Sequence, residues 1–349
     1  MQDEKVTDAD TNGLALSRAY FFDVVGPMLA ERFPSLPYSA GRLGAGSDVL
    51  GLDDVVSRDH DWGLRLSLFV PDDAIAEVDQ ELERLLPDSF RGLPVRYAFT
   101  SQTAQRHHVE VTSVSDFLNT HLGFDPRGNA SARDWLSLSG QAALEVVAGP
   151  IFTETSDELV SARRALEWYP DDVWRYVLAC DWIRIEQELP LMGRAADVGD
   201  DTGSRVIAAR LVHNIMHMAF MLERRWPPYA KWFGTLFRTL AYADVAGEAI
   251  DSALRATDLA GRQLGIAAAL ESLLQRQNAL TLTATTGATI PFWDRPYLHP
   301  DPEIVAQLLD GIVDPSVRLL PRGRGSVEQR TDNVDVLVDV EARRSAVAN

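Results

Sequence analysis

Apolar residues at Leu14, Leu16, Ala19, Tyr20, Phe22, Val24, Val25, Met28 and Leu29 are spaced densely enough to predict a helix over 14–33, which Pro34 and Pro37 end. From Asp61 to Val70 the period changes to two. Trp62, Leu64, Leu66, Leu68 and Val70 alternate with polar neighbours, the pattern of a half-buried strand. Ala74, Ile75, Val78, Leu82, Leu85 and Leu86 then mark one stripe of an amphipathic helix over 73–86. Leu93–Phe99 and His107–Val114 read as further strands, the second with Val109 and Val111 alternating with Glu110 and Thr112. After about residue 126 helical periodicity takes over, in the segments 131–147, 156–168, 171–189, 203–226, 229–245 and 247–278. Breaks are expected at Pro150, Pro170, Pro190 and Pro227-Pro228. A threonine-rich run at 281–289 leads into Pro291-Phe-Trp-Asp-Arg-Pro-Tyr297, too rich in proline for a helix. The expected class is α+β, with a mixed α and β domain over 1–125, an all-helical domain over 126–320 and a flexible tail over 321–349.

Composition narrows the function classes. A chain of 349 residues with 46% hydrophobic and 24% charged residues is ordinary globular material, long enough for two domains. Acidic residues outnumber basic ones by 51 to 33, a net charge of −18. That balance lacks the broad positive field that draws long nucleic acids or anionic membranes. One cysteine, Cys180, rules out an internal disulfide and a cysteine-rich zinc site, and suits a reducing compartment. No signal-peptide core and no run of about 18 apolar residues is seen, so we expect a cytoplasmic protein. Only Lys5 and Lys231 among the basic residues are lysines.

Candidate chemistry lies in three places: Gly44-Ala-Gly-Ser47, Asp59-His-Asp61 and Val109-Glu-Val111. Asp59 and Asp61 are two apart at the start of a predicted strand, so both carboxylates leave one face. Side by side they repel unless a cation compensates them, and Mg²⁺ prefers one or two carboxylates together with phosphate oxygens. Glu110, on a second predicted strand, supplies a third carboxylate if the two strands are neighbours. Gly46 and Ser47 suit a phosphate loop, because glycine lets backbone N–H groups approach an anion and the serine hydroxyl adds a donor. Together these parts fit metal-assisted attack on a nucleoside triphosphate (NTP). Arg42 and Arg58 flank the loop as phosphate contacts or surface ion pairs. Asp48, Asp53 and Asp54 crowd it with negative charge, as helix caps or outer partners of a metal.

Gly46-Ser47, Asp59-x-Asp61 and the later apolar–acid–apolar strand around Glu110 resemble the signature of the polymerase-β-like nucleotidyltransferase superfamily. The longer string Gly44–Gly63 and the segment Pro291–Tyr297 resemble a bacterial family catalogued only as a domain of unknown function and grouped with nucleotidyltransferases. The resemblance implies a mixed sheet with helices, followed by a helical domain as in aminoglycoside nucleotidyltransferases. It implies a divalent ion, Mg²⁺ or Mn²⁺, held by Asp59, Asp61 and Glu110, and an NTP, with ATP the first candidate. In similar two-domain enzymes a lysine of the helical domain meets the β- or γ-phosphate, and Lys231, at a predicted helix start, matches that position.

The expectation is transfer of a nucleoside monophosphate to an acceptor hydroxyl, preferably of a small molecule, with Glu110 as ligand or general base. The alternatives are a dormant NTP-binding regulator and a toxin-like enzyme acting on tRNA or protein. His60 is expected on the opposite sheet face, and Trp62 in the core. His213 and His217 have metal-compatible spacing but lack the glutamate of a zinc protease, which places them at the cleft or in the helical core. Cys180 reads as inert core.

Overall fold

In the computed structural model, residues 12–54, 56, 62–100 and 103–348 are described. Arg58, Asp59, His60 and Asp61 lie outside the described residues. In chain order the elements are α1 (Gly13–Tyr20), α2 (Gly26–Arg32), β1 (Ser39–Gly41), β2 (Arg65–Phe69), α3 (Ile75–Leu85), β3 (Ser89–Phe90), β4 (Leu93–Pro94), β5 (Arg96–Tyr97), β6 (Arg106–Thr112), α4 (Val114–Leu122), α5 (Ala132–Ser137), α6 (Gly140–Val147), β7 (Ile151–Glu154) and α7 (Glu158–Ala165). Then follow α8 (Asp171–Asp197), α9 (Asp201–Leu222), α10 (Ala230–Phe237), α11 (Ala241–Arg255), α12 (Leu259–Ala279), β8 (Thr289–Pro291), β9 (Leu298–Pro300), α13 (Pro302–Asp310), α14 (Pro315–Arg318), α15 (Val334–Val338) and α16 (Val340–Val347). The chain is α+β and divides into two compact units, Met1–Asn129 with Ala142–Glu167, and Ala130–Gln141 with Trp168–Asn349. The first unit therefore reaches past the expected boundary at 125 and takes back residues 142–167. No helix among the described residues is long and apolar enough to cross a membrane.

The first unit is built on a five-stranded mixed sheet in the order β5-β6-β2-β1-β7. β2 and β6 are parallel, and the other neighbours are antiparallel. The alternation read in the sequence sends Leu64, Leu66, Leu68 and Val109 to one face. There they pack against Leu16 and Tyr20 of α1, Leu29 of α2, and Val78 and Leu82 of α3. Trp62 packs half-buried against the same core. The strand itself is shorter than expected, Arg65–Phe69 in place of 61–70. The predicted helix over 14–33 forms as α1 and α2 joined by a π turn at Phe21–Val25. That widening directly precedes Gly26-Pro27, where proline brings no N–H and its ring presses on the turn before it.

The second unit is helical apart from the β8–β9 hairpin. Asp200 caps α9 and Asp258 caps α12, each accepting a backbone N–H three residues on. The Asp258 cap divides the predicted 247–278 helix at residues 256–258. The break expected at Pro190 does not occur, and α8 continues to Asp197. Leu189, Pro190, Met192 and Gly193 are all buried, and packing outweighs the lost backbone hydrogen bond. Gly193 receives the Tyr297 ring, whose hydroxyl donates to Asp197; an added Cβ would lie 2.5 Å from Tyr297 Cδ1. The Pro291–Tyr297 segment is thus moored on α8. The expected tail over 321–349 is corrected as well. Val327 and Leu337 are buried, Ser139 donates to the Leu337 carbonyl, and Arg343 is only 1% exposed and donates to the same carbonyl. Few apolar residues suffice there because buried arginine and serine satisfy the backbone directly.

His217 of α9 is buried in this unit, with Nδ1 2.8 Å from Asp181 Oδ2 and Nε2 3.8 Å from Glu328 Oε2. Burial opposes the imidazolium, but the two carboxylates outweigh it and raise its pKa from 6.5 to about 10. The folded protein therefore keeps a proton that the unfolded chain releases above pH 6.5. This contribution is whole below pH 6.5 and fades as the pH rises towards about 10, at about 1 kcal/mol per pH unit. Melting temperatures measured across that window should fall in the wild type, and His217→Gln should flatten the slope. An unchanged slope in the variant contradicts the assignment.

Candidate active site around Glu110

A row of residues crosses three strands: Gly41 of β1 lies opposite Ser67 of β2, and Ser67 opposite Glu110 of β6. On this face, away from the apolar core, the polar phase of the alternation presents Arg65, Ser67, His108 and Glu110. The glycine-rich segment leaves β1 beside that row. Ser67 Oγ lies 3.3 Å from the Leu43 amide nitrogen and 3.4 Å from its carbonyl oxygen, tying the segment to β2. Gly44 N–H donates to the Glu145 carbonyl at 2.7 Å. α4 closes the opposite side. Its Phe117 packs edge-on against Phe69, and His121 covers Gly44 with Nδ1 2.7 Å from Glu145 Oε2. Between them lies a cavity of about 400 Å³ whose lining includes Gly44, Ala45, Arg65, Ser67, His108 and Glu110.

Arg42 shapes the loop from within. Its guanidinium is 2% exposed and clasps Asp48, with Nε 2.7 Å from Oδ2 and Nη2 2.9 Å from Oδ1. It also donates to the carbonyls of Leu43 and Ala45. Four of its five N–H groups are thereby spent on the loop itself. Of the two readings given for Arg42, phosphate contact or surface ion pair, the structure shows an ion pair, buried within the loop instead of on the surface. Of the neighbouring acids, Asp53 falls on the capping side of the expectation, accepting the Gly13 N–H at the start of α1 at 2.7 Å, while Asp48 holds Arg42 in an ion pair the sequence did not suggest. Gly46 has φ +143, and a Cβ there would run into Asp48 Oδ1 and sit 2.5 Å from Arg42 Nη2. Glycine is required by both the backbone and the ion pair.

The turn over Ser47–Gly51 is closed by Leu52 N–H to the Ser47 carbonyl. Among the described residues, the N–H groups of Ala45, Gly46 and Ser47 donate to no protein acceptor. Gly46 and Ser47 continue the loop just beyond the cavity lining.

The walls carry both signs of charge. Glu110 is exposed, and its carboxylate makes no hydrogen bond or ion pair among the described residues. Arg65 sits 5.3 Å over the Phe99 ring, and burial, then the charge of Arg42, lower its pKa to about 10, so it remains a cation at neutral pH. His108 stacks on Phe99 with centroids 3.9 Å apart, and its Nε2 lies 2.9 Å from the Tyr97 carbonyl. A carbonyl only accepts, so that nitrogen bears the proton; burial lowers the pKa and keeps the ring neutral.

No group of three His, Cys, Asp or Glu side chains among the described residues could hold a metal ion. Of the three predicted ligands, Glu110 alone is described. Its unengaged carboxylate, a hard oxygen donor facing the cavity, fits a divalent cation by its chemistry. Lys231 lies in the first turn of α10 in the helical unit, exposed, with its ammonium 4.9 Å from the Trp232 ring centroid. Arg65, His108, His121 and Glu145 were not singled out in the sequence. Arg65 and His108 carried a signal there, as polar positions of alternating strands; His121 and Glu145 carried none. Cys180 is buried, with its thiol pushed up to about 11 by that burial, in keeping with an inert core residue.

Residues 135–233 match the family described as "Domain of unknown function (DUF4037)". No curated protein matches the chain. Among solved structures it is similar to a nucleotidyltransferase-like protein from Exiguobacterium sibiricum, at 12% identity over 76% of each chain and a TM-score of 0.34.

Proposed function

We propose that this protein is a divalent-metal-dependent nucleotidyltransferase that moves a nucleoside monophosphate from an NTP to the hydroxyl of a small acceptor. The observation that carries the reading is the unspent N–H series of Ala45, Gly46 and Ser47 on a loop tied beside the unpaired carboxylate of Glu110. Consecutive free amides are available to an anion, and an unpaired carboxylate beside them calls for a cation to join the two. Asp59 and Asp61 would complete the ligand set with Glu110, and Mg²⁺ or Mn²⁺ bound there would neutralise charge at the transferring phosphoryl group. The loop amides orient phosphate oxygens, and Arg65 supplies a fixed positive charge in the same cavity. The acceptor oxygen forms a bond to the α-phosphorus as the bond to the β-phosphate oxygen breaks. Pyrophosphate leaves, and the acceptor's proton passes to Glu110. Lys231 is assigned to the β- or γ-phosphate, ATP is the first NTP to try, and the cytoplasm is the proposed compartment.

The test is pyrophosphate release from each of the four NTPs with Mg²⁺ or Mn²⁺, over a panel of hydroxyl acceptors that includes total tRNA. Turnover is expected with a small-molecule acceptor. Glu110→Gln should lower kcat about a hundredfold or more with little change in the KM for NTP. A variant that only raises KM removes the base role. Tight Mg²⁺–NTP binding without turnover on any acceptor overturns the enzyme in favour of a nucleotide-binding regulator.

A further inference from the structure

The helical unit contains a second polar cavity, of about 500 Å³, between α8, α9 and residues 328–332. Arg184 of α8 and Arg210 of α9 reach it, and both donate to the same oxygen, Oε1 of Glu188. Two guanidiniums share one carboxylate, which leaves one positive charge uncompensated. Arg184 Nη2 and Arg210 Nε and Nη1 have no acceptor among the described residues. On the same wall Asn214 is only 8% exposed, yet its carboxamide makes no hydrogen bond at all among the described residues. A buried amide left unpaired is costly and marks a place where a partner is missing.

The opposite charge is present too. Asp332 lines the cavity, is exposed, and makes no hydrogen bond or ion pair among the described residues. Glu328, by contrast, takes the Gly140 N–H at 2.8 Å and lies 3.8 Å from the His217 ring, so it is engaged where Asp332 is not. Between the two ends His213 stacks on Phe233 with centroids 4.7 Å apart, within electrostatic reach of both Asp332 and Arg184. An anion alone would leave Asp332 unmatched and lie close to Glu188. A cation alone would sit against the guanidiniums. We propose that this cavity binds a small zwitterion of the amino-acid class, its carboxylate on Arg184, Arg210 and Asn214 and its ammonium on Asp332. The volume suits a molecule of that size. The inference is independent of the nucleotidyl-transfer reading, since none of its residues belongs to the cavity around Glu110.

Calorimetry and thermal shift on the full chain would test it, using as probes the twenty standard amino acids and a series of ω-amino acids, each at about 10 mM. At least one is expected to bind and raise the melting temperature. Asp332→Asn, at an exposed position that leaves folding intact, and Arg210→Gln should each weaken that binding about tenfold or more. Acetate and methylammonium, each offering one charge, should bind at least about tenfold more weakly than the zwitterion. No response to any amino acid, binding of acetate as tight as that of the zwitterion, or binding unaffected by Asp332→Asn overturns the proposal.

Discussion

Asp59→Asn and Asp61→Asn are each expected to lower pyrophosphate release at least about a thousandfold while leaving the melting temperature nearly unchanged. An amide has the shape of a carboxylate and keeps one oxygen donor, but it lacks the charge that a divalent ion bound to a triphosphate requires. The loss should be at least as large as that for Glu110→Gln, because each aspartate charge is assigned to the same metal site. Mn²⁺, more tolerant of nitrogen and neutral ligands, should restore part of the Asn variants' rate when it replaces Mg²⁺. Turnover within tenfold of wild type in either variant contradicts the carboxylate assignment. The measurement is a steady-state pyrophosphate assay alongside a thermal melt, so that lost chemistry and lost structure are separated.

Asp48→Ala should show the largest stability loss of any single change in the first unit, about 3–5 kcal/mol. Asp48 is 7% exposed and is the only carboxylate among the described residues in an ion pair with Arg42, which is itself 2% exposed. Removing it leaves a guanidinium buried without a counter-charge, a greater penalty than the pair itself returns. The melting temperature should drop by several degrees, and NTP binding should weaken because the Leu43–Ala45 carbonyls depend on the same guanidinium. The double variant Arg42→Met with Asp48→Leu supplies the control. It buries no charge, so it should recover most of the stability but not the NTP affinity. Full recovery of both would show that the pair does not shape the phosphate loop.

The period-two alternation from Leu64 to Leu68 told which face of β2 is core, and by parity it placed Arg65 and Ser67 on the other. Glu110 was legible for the same reason, as the polar step between Val109 and Val111. That the two strands are neighbours was only a condition in the sequence; the structure pairs them in parallel and sets Ser67 beside Glu110. What could not be read was anything joining distant segments. His121 meets Glu145 across 24 positions with no periodic signal to announce it. Arg42 was open between phosphate contact and ion pair, and Asp48 between cap and outer metal partner; six positions apart, nothing in the sequence announced that the two hold each other. Pro190 and the C-terminal segment misled in the other direction. Local chemistry said break and tail, while burial of Met192, Val327 and Arg343 decided otherwise.

The pairing of β7 with β1 has a bearing on how this chain can be made and divided. β1 emerges early in synthesis, but the strand that covers its outer edge arrives only at Ile151–Glu154. A fragment ending near residue 129 would keep β2 and β6 yet leave the backbone of Ser39–Gly41 open on one side, and an open edge invites pairing with a second molecule. It would also lack Glu145, to which Gly44 and His121 are fastened. The smallest piece that can carry the Glu110 cavity in folded form therefore runs through α7, and any expression boundary for the N-terminal half belongs after Ala165.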